Sequence, residues 1–155
     1  MSEKMDGVRA YWNGETLLSR NSKRILCPSW FTKEFPQGIE LDGELWMGRG
    51  RFEKTVATLL KSEEDKSWKW IRFMVFDLVS KEPFEDRMAI LRGLNLPSQV
   101  SLLEQKICLG NQHLMKELTE IVEGGGEGII VTEPKSFYIA GRTKSRLKVK
   151  VLLSP

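Results

Sequence analysis

Apolar and polar residues alternate along Ile39-Glu40-Leu41-Asp42-Gly43-Glu44-Leu45-Trp46, a period of two that predicts a half-buried strand. Leu41, Gly43 and Leu45 share one face, which leaves Glu40, Asp42, Glu44 and Trp46 on the other. Three carboxylates on one strand face repel each other unless positive groups stand opposite. Upstream, residues 8–12 and 15–19 are extended runs joined by Asn13-Gly14, which predicts a hairpin closed by a two-residue type I′ turn. That hairpin carries Arg9 on its first strand and delivers Ser19-Arg20 at the end of its second. Residues 70–79 form a nearly continuous apolar run interrupted late by Asp77, as expected for a central strand covered on both faces. Residues 100–108, 127–131 and 146–152 predict further strands, the last alternating so that Lys148 and Lys150 share a face.

Helical signals fall between these runs. A short helix is expected over 29–35, capped by Ser29 and stopped by Pro36. Others are expected over 52–60, 85–93 and 111–123, the last capped by Asn111 and ended by Gly124-Gly125-Gly126. Residues 20–24, 62–66 and 138–142 are polar or charged connections, and there is no internal repeat. The pattern is that of an α+β fold built on antiparallel sheets with a few helices outside.

A chain of 155 residues is long enough for one domain with a proper core and short for two, so a single domain over 1–155 is expected. Hydrophobic content of 41% with 29% charged residues excludes a disordered or fibrous class. There is neither an apolar run long enough to cross a bilayer nor a charged-then-apolar leader, which predicts an intracellular protein away from membranes. The net charge of +3 fits an anionic partner without requiring one. Its distribution is more telling: Lys135, Arg142, Lys144, Arg146, Lys148 and Lys150 follow one another with no acid between them, a local field suited to phosphates. Cys27 and Cys108 have neither disulfide-framework nor zinc spacing and are expected as small buried hydrophobes, and His113 as a surface or boundary residue.

The candidate chemistry sits at the start, in Ser2-Glu3-Lys4-Met5-Asp6-Gly7-Val8-Arg9. A lysine amine is mostly protonated at neutral pH, so a nucleophilic lysine needs neighbours that take its proton or lower its pKa, a role in which Asp6 and Arg9 are candidates. Taken alone, Lys, Asp, Gly and Arg co-occur at many exposed turns.

The ordered set changes that. KxDGxR, Ser19-Arg20, LDGEL, the strand holding Val75-Phe76-Asp77, EGII and LKVK together closely resemble the nucleotidyltransferase domain of ATP-dependent DNA ligases, in the family's order and across nearly the whole chain. SEKMDGVRAYW, LDGELW and the late YxxGR look most like the compact bacterial and organellar members. The resemblance implies an ATP-grasp-like nucleotidyltransferase fold and a reaction in which Lys4 attacks the α-phosphate of ATP to form lysyl-AMP. AMP then passes to a DNA 5′-phosphate for nick sealing. It also implies that Arg9 and Glu44 contact the ribose, Phe76 stacks on adenine, and Ser2 reads the adenine amine. Asp6 belongs to the ATP-binding set, Arg20 lies near the phosphates, Lys148 and Lys150 grip the α-phosphate, and Glu127 helps hold Mg2+. Such catalysis is mostly positioning and neutralisation of oxygen charge, which suits these residue types.

The implied partner is nicked double-stranded DNA, with a monomeric chain and a separate oligonucleotide-binding-fold domain. Family members carry a segment before the lysine motif and that domain after LKVK, so the resemblance implies a catalytic domain truncated at both ends, with weak or no self-adenylylation and no efficient sealing by these residues alone. An RNA ligase or GTP-using capping enzyme shares the lysine motif, and a non-catalytic nucleotide- or nucleic-acid-binding module is the alternative of another class.

Overall fold

Alternation in the sequence becomes burial in the fold. In the computed structural model, which describes residues 1–61 and 64–151, Leu41 and Leu45 are fully buried with Trp12, Phe73 and Val75 in one core. Strands β2 (Val8–Trp12), β3 (Leu17–Ser19), β4 (Leu41–Trp46), β5 (Arg72–Leu78) and β6 (Val100–Leu102) make a five-stranded sheet in the order β3-β2-β4-β5-β6. A second sheet of β1 (Ser2–Glu3), β7 (Ile129–Thr132) and β8 (Arg146–Val149) joins the two ends of the chain in the order β1-β7-β8. Helices α1 (Ser29–Thr32), α2 (Phe52–Leu59), α3 (Phe84–Gly93) and α4 (Asn111–Glu123) lie between the strands in sequence. A smaller core of Met1, Leu118 and Ile129 sits under the second sheet. The fold is α+β, as expected.

Several local expectations are corrected. Trp12 pairs with Leu17, so the hairpin loop holds four residues instead of two. Asn13 is responsible: its side-chain oxygen accepts from the amides of Glu15 and Thr16 at 3.0 and 2.7 Å, building an Asx turn where the type I′ turn was expected. The register moves by two positions, so every side chain keeps its face. Ser29 and Asn111 are not caps. Pro28 and Gly110 hold the cap positions, neither with a side-chain cap bond. What holds the four-residue α1 region is aromatic packing, with Phe35 stacked on Phe73 at 5.7 Å and Phe31 edge-on to Trp68 at 5.1 Å.

The apolar run over 70–79 divides. Trp70 ends a 3-10 helix, Lys66–Trp70, and β5 starts at Arg72. Only one face of β5 is closed: Phe73 and Val75 are fully buried, whereas Met74 and Phe76 are half-buried on the opposite face. β6 pairs with β5 in parallel, against the antiparallel expectation, because α3 provides the crossover between them. β6 ends at Leu102, and Lys106 then donates its amide to the carbonyl of Met1 at 2.8 Å. Glu127 and Gly128 precede β7, and Lys150 follows β8. Residues 62 and 63 of the expected charged loop and residue 152 of the expected last strand lie outside the described residues. Cys27 and Cys108 are half-buried rather than buried, each packed against one of the two cores.

Two glycines set the site's backbone. Opposite β5, the ladder of β4 shifts between Asp42 and Gly43, leaving Phe76 as the extra residue of a bulge. A Cβ at Gly43 would run into the Met74 carbonyl and the Phe73 ring. Gly128 has φ +151° and its Cβ would strike the Val149 carbonyl, so only glycine lets β8 approach this closely.

Candidate functional site

Strand pairing brings the first and last motifs together. Ser2 lies opposite Ile130, which lies opposite Lys148, so these three share one face of the small sheet. The Lys4 amide extends that ladder to the Gly128 carbonyl at 2.8 Å, so Lys4, two residues beyond Ser2, faces the same way. Its ammonium bonds Oε2 of Glu127, while Lys150 bonds Oε1 of the same carboxylate. Burial pushes the Glu127 carboxyl up, but the hydrogen bonds from Lys150 and Lys4 outweigh it and hold the group below its ordinary range. The Lys148 side chain is exposed and makes no hydrogen bond or ion pair among the described residues. Asp6 likewise has none, so the acid partner of Lys4 is Glu127, 123 positions away in the chain.

The five-stranded sheet supplies the second half. The carboxylate row of Glu40 and, on β4, Asp42 and Glu44 is stabilised in the way the alternation required, by a donor on each acid. Arg9 Nε and Nη2 each bond Asp42 at 2.7 Å, a bidentate pair, and the Tyr138 hydroxyl donates to Asp42 Oδ2 at 2.8 Å. Tyr11 donates to Glu40 at 2.5 Å, and the Gly7 amide donates to Glu44 Oε2 at 2.9 Å. Burial works against the Arg9 charge, but its bonds to Asp42 outweigh that and raise its pKa. Burial, followed by the Asp42 charge and hydrogen bond, pushes the Tyr138 hydroxyl up as well. The Arg9 guanidinium lies over the Phe76 ring, 4.5 Å from its centroid, and the Arg146 guanidinium lies 5.4 Å from it. Arg20 is at the step after the Ala10–Ser19 pair, alongside Arg9, but is exposed and without a hydrogen bond or ion pair among the described residues.

Glu44 is the most perturbed carboxylate here. Burial raises it to about 7, against the opposing pull of the Gly7 amide, Arg9 and Lys4. The folded value lies above the unfolded one, so the folded state binds the extra proton and stability falls as pH rises from about 4.5 to about 7, then levels. The full shift corresponds to roughly 3 kcal/mol. Glu44→Gln keeps an oxygen for the Gly7 amide and removes the charge, so urea unfolding at pH 5 and pH 8 should show the parent losing stability relative to the variant at the higher pH. A constant difference between the two would contradict the placement of Glu44.

Three contributors were not assigned roles from sequence: Asp42, Tyr138 and the network around Asp77. Asp77 is fully buried and bonds Arg87, Arg146 and its own neighbour's amide. Arg87 carried a readable signal, since Phe84, Arg87, Met88 and Leu91 fall at i, i+3, i+4 and i+7 and all four are buried. A concavity of about 720 Å³ lies elsewhere, beside Trp30 and Lys69, and a second of about 290 Å³ is lined by Ser2 and Glu3 together with Arg49 and Ile121; Lys4 lines neither. Among the described residues no helix is long and apolar enough to cross a membrane.

Known proteins are similar to this chain in sequence and arrangement. A DNA ligase of Haemophilus influenzae is 36% identical over 154 residues, covering 97% of this chain and 57% of that protein. A solved Lig E DNA ligase, from work on DNA binding with a minimal scaffold, superimposes with a TM-score of 0.89 at 35% identity, covering 97% of this chain and 60% of that one. The Chlorella virus DNA ligase-adenylate shares the fold with a TM-score of 0.78 at 22% identity, covering 96% and 59%. The chain thus spans somewhat over half the length of these relatives. The family model for the ATP dependent DNA ligase domain matches residues 1–150, and the chain belongs to that family.

Proposed function

We propose that this chain is the adenylyl-transferring part of an ATP-dependent DNA ligase, with Lys4 as the nucleophile. The observation that carries the reading is the Lys4–Glu127–Lys150 cluster, which gathers an amine, a carboxylate and a second amine from motifs at opposite ends of the chain. In the proposed step the Lys4 nitrogen loses a proton, forms a bond to the α-phosphorus of ATP, and the bond from that phosphorus to the bridging oxygen breaks to release pyrophosphate. Lys148 and Lys150, facing the same way as Lys4, neutralise charge on the phosphate oxygens. Glu44 and Arg9 orient the ribose, Phe76 offers its ring to adenine, Ser2 reads the adenine edge, and Asp6 completes the nucleotide set. Arg20, exposed beside Arg9, is free to meet phosphates of the nucleotide or of the DNA end.

Magnesium is bound in such sites by one or two carboxylates together with substrate phosphates, so a cage of three acids is not required. Among the described residues no such cage occurs, and Glu127, with both oxygens facing ammonium groups that phosphates would attract, fits the smaller donor set. When bound, the ion would supply charge neutralisation at the phosphates. The product AMP–lysine would pass AMP to the 5′-phosphate of nicked duplex DNA. A separate oligonucleotide-binding-fold domain is the proposed companion.

The test is labelling with α-labelled ATP or GTP in the presence of magnesium, followed by a chase with nicked duplex DNA. Label from ATP that moves to the DNA 5′-phosphate is expected. Label from GTP would favour a capping-type enzyme, and label from neither, even with an oligonucleotide-binding-fold domain supplied, would leave a nucleotide- or nucleic-acid-binding module.

A further inference from the structure

The described residues contain one fully buried carboxylate that binds two arginines, and only one of them is needed to neutralise it. Arg87 bonds Asp77 through Nε at 2.8 Å and Nη2 at 3.2 Å, and sends Nη1 to the carbonyls of Glu82 and Ser136 at 2.7 and 2.9 Å. With 1% of its side chain exposed against 0% for Asp77, Arg87 completes a satisfied buried pair. Arg146 then adds a second guanidinium to Asp77 Oδ2 from the other sheet, with 22% of its side chain exposed. That extra cation is surplus to charge balance, and it faces the site. Its guanidinium lies over Phe76, the residue before Asp77, and it shares a face of β8 with Lys148, two positions on.

We propose that Arg146 is a positioning residue for the nucleotide site: anchored on Asp77, it fixes the Phe76 ring and the start of β8 in one geometry, so that base and phosphate contacts are set from the same point. This assignment rests on the adenylyl-transfer reading above. A side-chain bridge between the two sheets is what the task requires. The other bridge seen on this face, Tyr138 to Asp42, locates the connection ahead of β8 and not the strand itself. A planar guanidinium can bond a carboxylate at its edge while lying flat over a ring, which lysine cannot do.

The test is ATP binding by calorimetry in a Lys4→Ala background, where no covalent product confuses the titration. Arg146→Leu leaves the Asp77–Arg87 pair intact and should weaken ATP binding about tenfold with little change in melting temperature. In a Phe76→Ala background the same change should weaken binding by only about threefold, because the ring is gone and only the hold on β8 remains to be lost. Arg146→Lys keeps the charge on Asp77 and should recover part of the loss. If the leucine variant does not fold, the lysine variant carries the test and should still bind more weakly than the parent. Parental affinity in the folded variants, or losses from Arg146→Leu and Phe76→Ala that simply add, would overturn the assignment while leaving the ligase-type reading in place. Failure of the parent itself to bind ATP would instead overturn that reading, and this assignment with it.

Discussion

Asp77→Ala is expected to destabilise the fold by about 3–5 kcal/mol, the usual effect of removing one partner from a buried ion pair. The reason is asymmetric. Arg87 is almost wholly inside, so its charge cannot return to water when the carboxylate is lost, and its two carbonyl acceptors do not replace an anion. Urea unfolding should show a lowered midpoint with an unchanged slope. Removing both charges together, as in Asp77→Leu with Arg87→Met, should cost much less, because only Arg146, with 22% of its side chain exposed, is then left without its carboxylate. A loss below about 1 kcal/mol in Asp77→Ala would mean that solvent reaches the pair and that its burial is not as described.

Glu127→Gln is expected to lower the rate of labelling from ATP by about a hundredfold or more, the scale seen when one preorganised electrostatic group is removed from a site. Glutamine keeps the shape and one acceptor oxygen, so Lys4 retains a neighbour but loses the charge that orients it and Lys150 together. Stability should change far less, because the Glu127 side chain is 27% exposed and such pairs contribute little to folding. The Glu127 carboxyl is held below its ordinary range by the two lysines, so whatever it does contribute is present at neutral pH and disappears only as pH falls through that lowered value. An unchanged labelling rate would remove Glu127 from the proposed chemistry.

Much of this arrangement was legible in the chain. The alternation through Leu41, Gly43 and Leu45 correctly divided β4 into a core face and an acidic face, because a half-buried strand imposes that period. It also posed the question that Arg9 answers, a cation opposite a row of carboxylates. The meeting of Lys4 with Glu127 was suggested only by the order of motifs, since no local pattern encodes a contact between β1 and the turn before β7. Local signals misled where tertiary packing took over. Asn13-Gly14 favours a two-residue turn, yet Leu17 must reach the core opposite Trp12, and the loop lengthens to allow it. The apolar run ending in Phe76 resembled a strand covered on both faces, but its Met74 and Phe76 side lies open toward the site. Asp77 and Arg87 stayed unread as a pair: the apolar run put Asp77 on a central strand and the spacing of Phe84, Arg87, Met88 and Leu91 put Arg87 on the buried stripe of α3, but no local pattern joins the two.

The central claim is that Lys4 accepts an adenylyl group. Intact mass measured after incubation with ATP and magnesium tests it most directly, since even a small labelled fraction is resolved from the parent chain. The account predicts a species heavier by one adenylyl group, absent from Lys4→Ala treated in the same way. A parent chain that binds ATP and gains no mass even when supplied with an oligonucleotide-binding-fold domain, or a Lys4→Ala chain that still gains it, would contradict the account.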